Sequence, residues 1–540
     1  LRFVKRLNVF FPAAVIESGG LILIPPPDLP AGDGASLAQR PKRVSDARRC
    51  LCNPLIGSAV MVIAELEPKV VWEHFQTLCE IPRPSKHEEQ LRDYLKGWAD
   101  LQGLESVVDA AGNLIIRKPA TPGMENRAGV VLQGHLDMVC QANTGTPHDF
   151  FKDPIRPVMK DGWLVAENTT LGADNGIGVA LALAVLASND LKHGPVEALF
   201  TLDEEQGMGG AIGLEPGVLK GSYLLNLDTE EWGEFYMGCA GGVDVNISRA
   251  YAQETLPAAH VTRQLAVTGL RGGHSGCDIH LGRGNANKIL LRTLQSIARV
   301  SGLRVASFQG GSARNALARE AFAVIAFPAA DEGKVAALID GLQQVLRDEL
   351  AGADEGVMLA LSPATTDKVM ALADQLPLLR ALHAAPHGVK AMSQRVTGVV
   401  ETSNNLGVMK LADGKLFANF MVRSLNDSGT QMLADEIVSL FELVGAEIQS
   451  EGAYPGWAPN PASKLLALCR DVYKKDFGAE SHVKVIHAGL ECGIIGSKYP
   501  DMDMVSFGPN ITGAHAPGER VEVASVGYCW ELVKSILAAV

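Results

Sequence analysis

A chain of 540 residues with 47% hydrophobic and 6% aromatic content can bury a large core and is long enough for two or more domains. Its formal net charge of −13 argues against a nucleic-acid partner, and its 56 glycines and 28 prolines, spread without a short period, fit neither a collagenous, a low-complexity nor a solenoid chain. The nine cysteines are odd in number and lack the paired spacing of a structural zinc site, which points to a reducing, cytoplasmic setting.

Residues 1–60 differ from the rest. A basic cluster, Arg40, Lys42, Arg43, Arg48 and Arg49, follows the Pro25-Pro26-Pro27 run, and no helix or strand pattern emerges. Leu21 to Ile24 is too short to span a bilayer, and Glu17 with two glycines interrupts the apolar stretch from Pro12, so neither a membrane span nor a secretory signal is expected. Met61 is the expected natural start, with the preceding residues an extended reading of the gene or a disordered extension.

From about Pro68, helical periodicity alternates with short β-rich runs, the pattern of an α/β domain with a mostly parallel sheet. Helices are expected over Val70–Glu80 and Lys86–Leu101, the second capped by Ser85. Strands are expected at Leu114–Arg117, Gly129–Gln133, Val196–Leu202, Tyr223–Leu227 and Met504–Phe507. Between Val243 and Gly452 the pattern changes. Strand-like runs Gln264–Thr268 and Ala321–Phe327 alternate with helices Asn287–Val300 and Lys334–Leu350, then strands Asn404–Met409 and Leu416–Val422 with helix Ser428–Val444 form a second set. The expected organisation is a discontinuous α/β domain, 61–242 and 453–540, with an inserted α+β domain, 243–452, built of two related halves.

Chemistry-bearing residues gather where these strands end. Gly134-His135-Leu136-Asp137 follows an apolar run, and residues two apart share a strand face, so Asp137 can orient His135 as a metal ligand, or the two form a structural pair. Asp174, in Gly172-Ala173-Asp174-Asn175-Gly176-Ile177-Gly178, either caps the helical run that follows or bridges two cations with its two oxygens. Asp203-Glu204-Glu205 follows the strand ending at Leu202, and adjacent side chains there point differently, so one glutamate can bind metal while the other acts as a base. Asp228 ends another strand, and His515 lies in the loop beyond Phe507. Ligands bind at this edge of open α/β sheets, and a histidine and carboxylate set without cysteine suits zinc, manganese or cobalt.

The segments Leu132-Gln133-Gly134-His135-Leu136-Asp137-Met138-Val139, Thr169 to Gly178 and His487-Ala488-Gly489-Leu490-Glu491-Cys492-Gly493 resemble the M20 metallopeptidases, and within them the bacterial aminoacyl-histidine (cytosolic non-specific) dipeptidases, over roughly residues 68–540. The resemblance implies two divalent ions, zinc first with manganese or cobalt as alternatives. His135 and Asp228 would hold one, Glu205 and His515 the other, with Asp174 bridging, Asp137 orienting His135 and Glu204 as general base and acid. It makes the insert a lid, in which His274 stabilises the oxyanion, Arg423 pairs with the substrate carboxylate, and Asn315 and Gly489 contact substrate. It further implies dipeptide substrates, Xaa-His among them, and a cytoplasmic homodimer. Two departures from the family pattern are Asp203, where a hydroxyl residue is expected, and Ala318, where proline is usual.

Three other readings compete. An N-acyl amino acid hydrolase shares fold and metals. A non-catalytic binding protein would not need so complete a site. A serine hydrolase lacks a Gly-x-Ser-x-Gly elbow after a strand.

Overall fold

A computed structural model describes Ile63 and residues 65–540, so the readings made for residues 1–60 and the expected start at Met61 lie outside it. The run Val130–His135 is buried along its whole length, as a strand covered on both faces must be. Alternate residues enter different cores. Val130 and Leu132 pack with the helices Lys69–Glu80, Ala173–Ala187, Lys464–Phe477 and Val523–Ala539, whereas Val131 packs with residues of Glu491–Lys498 on the other side.

This strand is the fourth of an eight-stranded sheet ordered 105–108, 114–118, 196–201, 130–135, 223–226, 503–506, 234–239 and 482–486. The three pairings joining 196–201, 130–135, 223–226 and 503–506 are parallel, so these four strands deliver their C-terminal ends to one edge. The outer pair 234–239 and 482–486 is also parallel, and the first two strands add antiparallel pairs.

The intervening chain forms a separate nine-stranded sheet, ordered 358–363, 260–268, 321–328, 304–310, 400–412, 415–424, 241–250 and 447–454, with 388–392 added against 400–412. Every pairing in it is antiparallel. Helices Ala286–Val300, Glu332–Glu349, Leu372–Ala384 and Asp427–Glu442 contribute to its single apolar core. The two expected halves are therefore merged into one sheet, joined where Phe308–Gly310 pairs with Met409–Leu411. The outermost strands run 241–250 and 447–454, which moves the boundaries of this segment slightly outside 243–452. The chain passes between the sheets at Gly241 and Gly456, and the two crossings touch: a Cβ on Gly241 would lie 2.5 Å from the Gly456 nitrogen.

One expected cap is corrected. The second helix runs Glu89–Gln102, not from Lys86, and Ser85 does not cap it. Lys86 has a φ of 69°, incompatible with a helical first turn, and the Ser85 hydroxyl instead donates to Asp137 at 2.8 Å. Among the described residues no helix is long and apolar enough to cross a membrane.

Candidate active site

His135 is the last residue of its strand and pairs in register with Thr201, while Gln133 pairs with Asn226. That register brings the chain beyond Thr201, carrying Glu204 and Glu205, and the chain beyond Asn226, carrying Asp228, to the same place as His135. Asp137 ties these pieces together. Its carboxylate accepts from Ser85 Oγ at 2.8 Å, from the Glu204 and Glu205 backbone N–H groups at 3.0 and 3.1 Å, and lies 3.3 Å from His135 Nδ1. With Nδ1 donating to Asp137, the Nε2 lone pair of His135 is left to face the site.

Around that nitrogen the carboxylates form two groups. His135 Nε2 lies 3.2 Å from Asp174 Oδ1 and 3.4 Å from Asp228 Oδ1. His515 Nε2 lies 3.2 Å from Asp174 Oδ2 and 3.0 Å from Glu205 Oε2. Asp174 thus turns one oxygen to each histidine. The ligand atoms of His135, Asp174 and Asp228, of Asp174, Glu205 and His515, and of His135, Glu204 and Glu205 each fall within 4.8 Å of one another. Asp228 Oδ1 and Glu205 Oε1 are buried without a hydrogen-bond partner. These two orphaned carboxylate oxygens, with Asp228 Oδ1 facing His135 Nε2, fit divalent cations, which would supply the missing positive charge.

The titration behaviour records the same excess of negative charge. Burial pushes Glu204 well above the carboxylate range; the His135 charge opposes this, and the charges of Glu205, Asp228 and Glu491 add to it. Burial likewise raises Asp228 to about 6. Burial opposes charging of His135, but the Asp228 charge and hydrogen bonds to Asp137, Asp174 and Asp228 hold its ring well above the usual value. Hydrogen bonds to Asp174 and Glu205 carry His515 to about 11. Asp137 is held at about 2: burial acts against this, and the His135 hydrogen bond and charge prevail.

A cleft of about 900 Å³ opens over these groups, lined by His135, Asp174, Glu204, Glu205, Asp228 and His515 from one sheet's loops and by His274 and Cys277 from the other segment. His274 Nδ1 accepts the Gly276 and Cys277 N–H groups at 3.2 and 3.0 Å, which places the proton of the neutral ring on Nε2. Burial, then the Arg423 charge, lowers His274 to about 4, so the ring is neutral near pH 7.

A model of the peptidase family M20/M25/M40 matches residues 131–539. The chain belongs to this family. It is similar to the cytosol non-specific dipeptidase of Escherichia coli (strain K12), 47% identical over 476 residues that cover 88% of this chain and 98% of that protein. Its structure is similar to that of the aminoacylhistidine dipeptidase of Vibrio alginolyticus, with a TM-score of 0.81 and 49% identity over 88% of this chain and 98% of that one. Aminopeptidase PepT of Bacillus cereus shares the fold, at a TM-score of 0.50 and 16% identity over 88% and 98% of the two chains.

In this M20 peptidase the site residues expected from sequence fall into four positions. The five expected ligands, Glu204, His274 and Gly489 line the cleft, and Asp137 lies directly behind His135. Arg423 is buried one layer back, donating to Tyr454 Oη at 2.8 Å and to Ser275 Oγ at 3.3 Å, with no carboxylate partner among the described residues. Asn315 is not brought into the cleft. Its side chain is exposed, and its contact with the His274 loop is a backbone carbonyl accepting from the Ser275 N–H at 2.8 Å. Asp203, the departure beside Glu204, does not line the cleft either: its N–H donates to Glu88 at 2.9 Å and its Oδ1 is buried.

Asp174 reaches the site from ahead of a helix and not from a strand end. It opens the helix Ala173–Ala187 with non-helical φ and ψ of −79° and 110°, and so projects from a helix start. Three residues that support the site were assigned no role from the sequence. Arg83, buried, donates to the carbonyls of Leu136, Asp137 and Gly172. Glu519 accepts the N–H groups of the Asp174 loop. Glu491, inside the motif His487 to Gly493, accepts from Gln133 and Thr201 at 2.6 Å each below the site, and burial raises its carboxyl to about 8.

Proposed function

We propose that this M20 peptidase hydrolyses dipeptides, Xaa-His and broader, using two divalent cations, one on His135 and Asp228 and one on Glu205 and His515, with Asp174 bridging. The observation that carries the reading is the division of Asp174, one oxygen at 3.2 Å from each histidine. The set of histidines and carboxylates without cysteine favours zinc, then manganese or cobalt. When bound, such ions acidify water and polarise a scissile carbonyl.

The chain's own residues supply the remaining chemistry. Glu204, on the cleft wall beside the proposed ligands, would take a proton from the attacking water as a carboxylate and return it as a carboxylic acid to the leaving amine. His274 presents its Nε2–H to the oxygen that becomes negative, and its lowered basicity keeps it a neutral donor. Arg423, a buried guanidinium without an anionic partner, suits the free carboxylate of a dipeptide, with Gly489 leaving room on the cleft wall. Bulk there is limited: a Cβ on Gly489 would come within 2.9 Å of both Met208 and the Tyr454 ring. Asn315 enters this scheme only by placing the His274 loop. The segment 241–454 serves as the lid, the enzyme acts in the cytoplasm, and the exposed sheet edge Glu447–Tyr454 supports association as a homodimer.

The competing reading is an N-acyl amino acid hydrolase on the same scaffold. The names of the 47% and 49% identical relatives favour free dipeptides. Turnover of unblocked and N-acetylated dipeptides by the purified protein decides between them. Faster hydrolysis of the unblocked set is expected, and preference for the blocked set would overturn the reading.

A further inference from the structure

The first N–H groups of a helix have no partner within it, and a side chain next to the helix start usually satisfies them. Asp174 and Asn175 have non-helical φ and ψ, so the N–H groups of residues 171–174 form a loop ahead of the regular helical turns, and Gly172 there has no side chain to offer. A carboxylate from far along the sequence takes over. Glu519 Oε2 accepts from Leu171 N at 2.7 Å and Gly172 N at 2.9 Å, and Oε1 accepts from Ala173 N at 2.7 Å and Asp174 N at 3.3 Å. Charge-assisted bonds from four successive N–H groups to one carboxylate are strong ones.

Glu519 is 2% exposed and is itself held in place. Its carbonyl accepts from Ala166 N and its own N–H donates to Ala516 O, both at 3.1 Å. Ala516 directly follows His515. The loop that carries His515 is therefore fastened to the loop that carries Asp174 through one carboxylate. His135 and Asp228, by contrast, stand at strand ends and owe nothing to this contact.

We propose that Glu519 is a positioning residue that locks the loops of Asp174 and His515 together and so sets the Glu205–His515 cation position more than the His135–Asp228 position. This rests on the two-cation reading above. Asp174 and His515 both serve the first position, and Asp174 alone of the two serves the second, so loosening the clamp acts unequally. Glutamine at 519 keeps the shape but presents an NH2 group to two of the four N–H donors, which cannot accept it.

The test is stepwise Zn2+ binding to the metal-stripped, full-length protein by competition with a chromophoric chelator, with the melting temperature of each stripped protein measured alongside. Wild type is expected to bind two ions. Glu519→Gln is expected to bind one with near wild-type affinity and the other about 10- to 100-fold more weakly, the usual effect of removing an outer partner of a metal ligand. Excess Zn2+ then restores turnover. Glu519→Asp, which keeps the charge but is one methylene shorter, gives the same pattern in smaller degree and serves if the glutamine variant does not fold. Two wild-type affinities in the variant, or equal weakening of both ions in step with a lowered melting temperature, would overturn the positioning role. A wild-type protein that binds only one ion would overturn the two-cation reading and the role built on it.

Discussion

Replacing Asp137 by asparagine removes the charge behind His135 while leaving the side-chain shape. Three donors bond the native carboxylate, Glu204 N at 3.0 Å on Oδ1 with Ser85 Oγ at 2.8 Å and Glu205 N at 3.1 Å on Oδ2, and His135 Nδ1, which meets the Asp137 carbonyl oxygen at 3.2 Å, stands 3.3 Å from Oδ1. Asparagine retains one acceptor. If its oxygen serves His135 and Glu204, its NH2 group faces Ser85, whose hydroxyl can turn to accept, and the Glu205 N–H, which cannot. One buried charge-assisted bond is then lost, about 1.5–3 kcal/mol. That matches the 10- to 100-fold fall in metal affinity, roughly 1.4–2.7 kcal/mol, that follows loss of a histidine's carboxylate partner. Because Asp137 is held at about 2, it is ionised throughout an ordinary assay range, and the effect does not vanish at mildly acid pH. Zinc affinity by chelator competition and kcat on a dipeptide would both be measured. An Asp137→Asn protein with wild-type affinity and turnover would refute the orienting role.

Three further outcomes are expected. Glu204→Gln should retain both cations yet lose roughly 10²- to 10⁴-fold in kcat, the usual share of a positioned acid–base group; turnover surviving with metal bound would remove Glu204 from the mechanism. Gly276→Ala places a Cβ 1.8 Å from the His487 carbonyl oxygen and 3.2 Å from Arg423 Cδ, so the His274 loop must retreat by about 1 Å, costing roughly 100-fold in kcat/KM; unchanged kinetics would show that this loop does not touch the reaction. Burial, then the Lys288 charge, lowers His387 to about 3, so as pH falls below about 6.5 the unfolded chain takes the proton first and stability is lost down toward pH 3. His387→Gln should therefore show a shallower fall in melting temperature between pH 6.5 and 4.5 than the parent, and parallel slopes would contradict this.

The strand-end residues were legible in the sequence because an apolar run ending in a polar motif has few structural meanings. His135, Glu205 and Asp228 follow strands whose parallel register could be anticipated from the α/β alternation. Asp174 was legible as a candidate ahead of a helical run, but what secures it was not: its N–H donates to Glu519, a contact between residues 345 positions apart. No periodicity encodes such a pairing. Ser85 was misread for a related reason, since a serine before a helical run satisfies the local rule for a cap while its hydroxyl is drawn away to Asp137. His515 stands in a loop with a φ of 65°, beyond the short strand Ile511–Thr512, and spacing alone could not aim it. The merging of the two halves of the inserted segment into one sheet depended on a three-residue seam that local patterns do not reveal.

The most direct test is restoration of activity after complete metal removal. The stripped protein is titrated with Zn2+ while dipeptide hydrolysis and bound metal are followed together. Turnover absent in the stripped protein and reaching its plateau only as the second equivalent binds is the expected result. Full turnover in the presence of chelator, or a plateau at one equivalent, would contradict a two-cation dipeptidase.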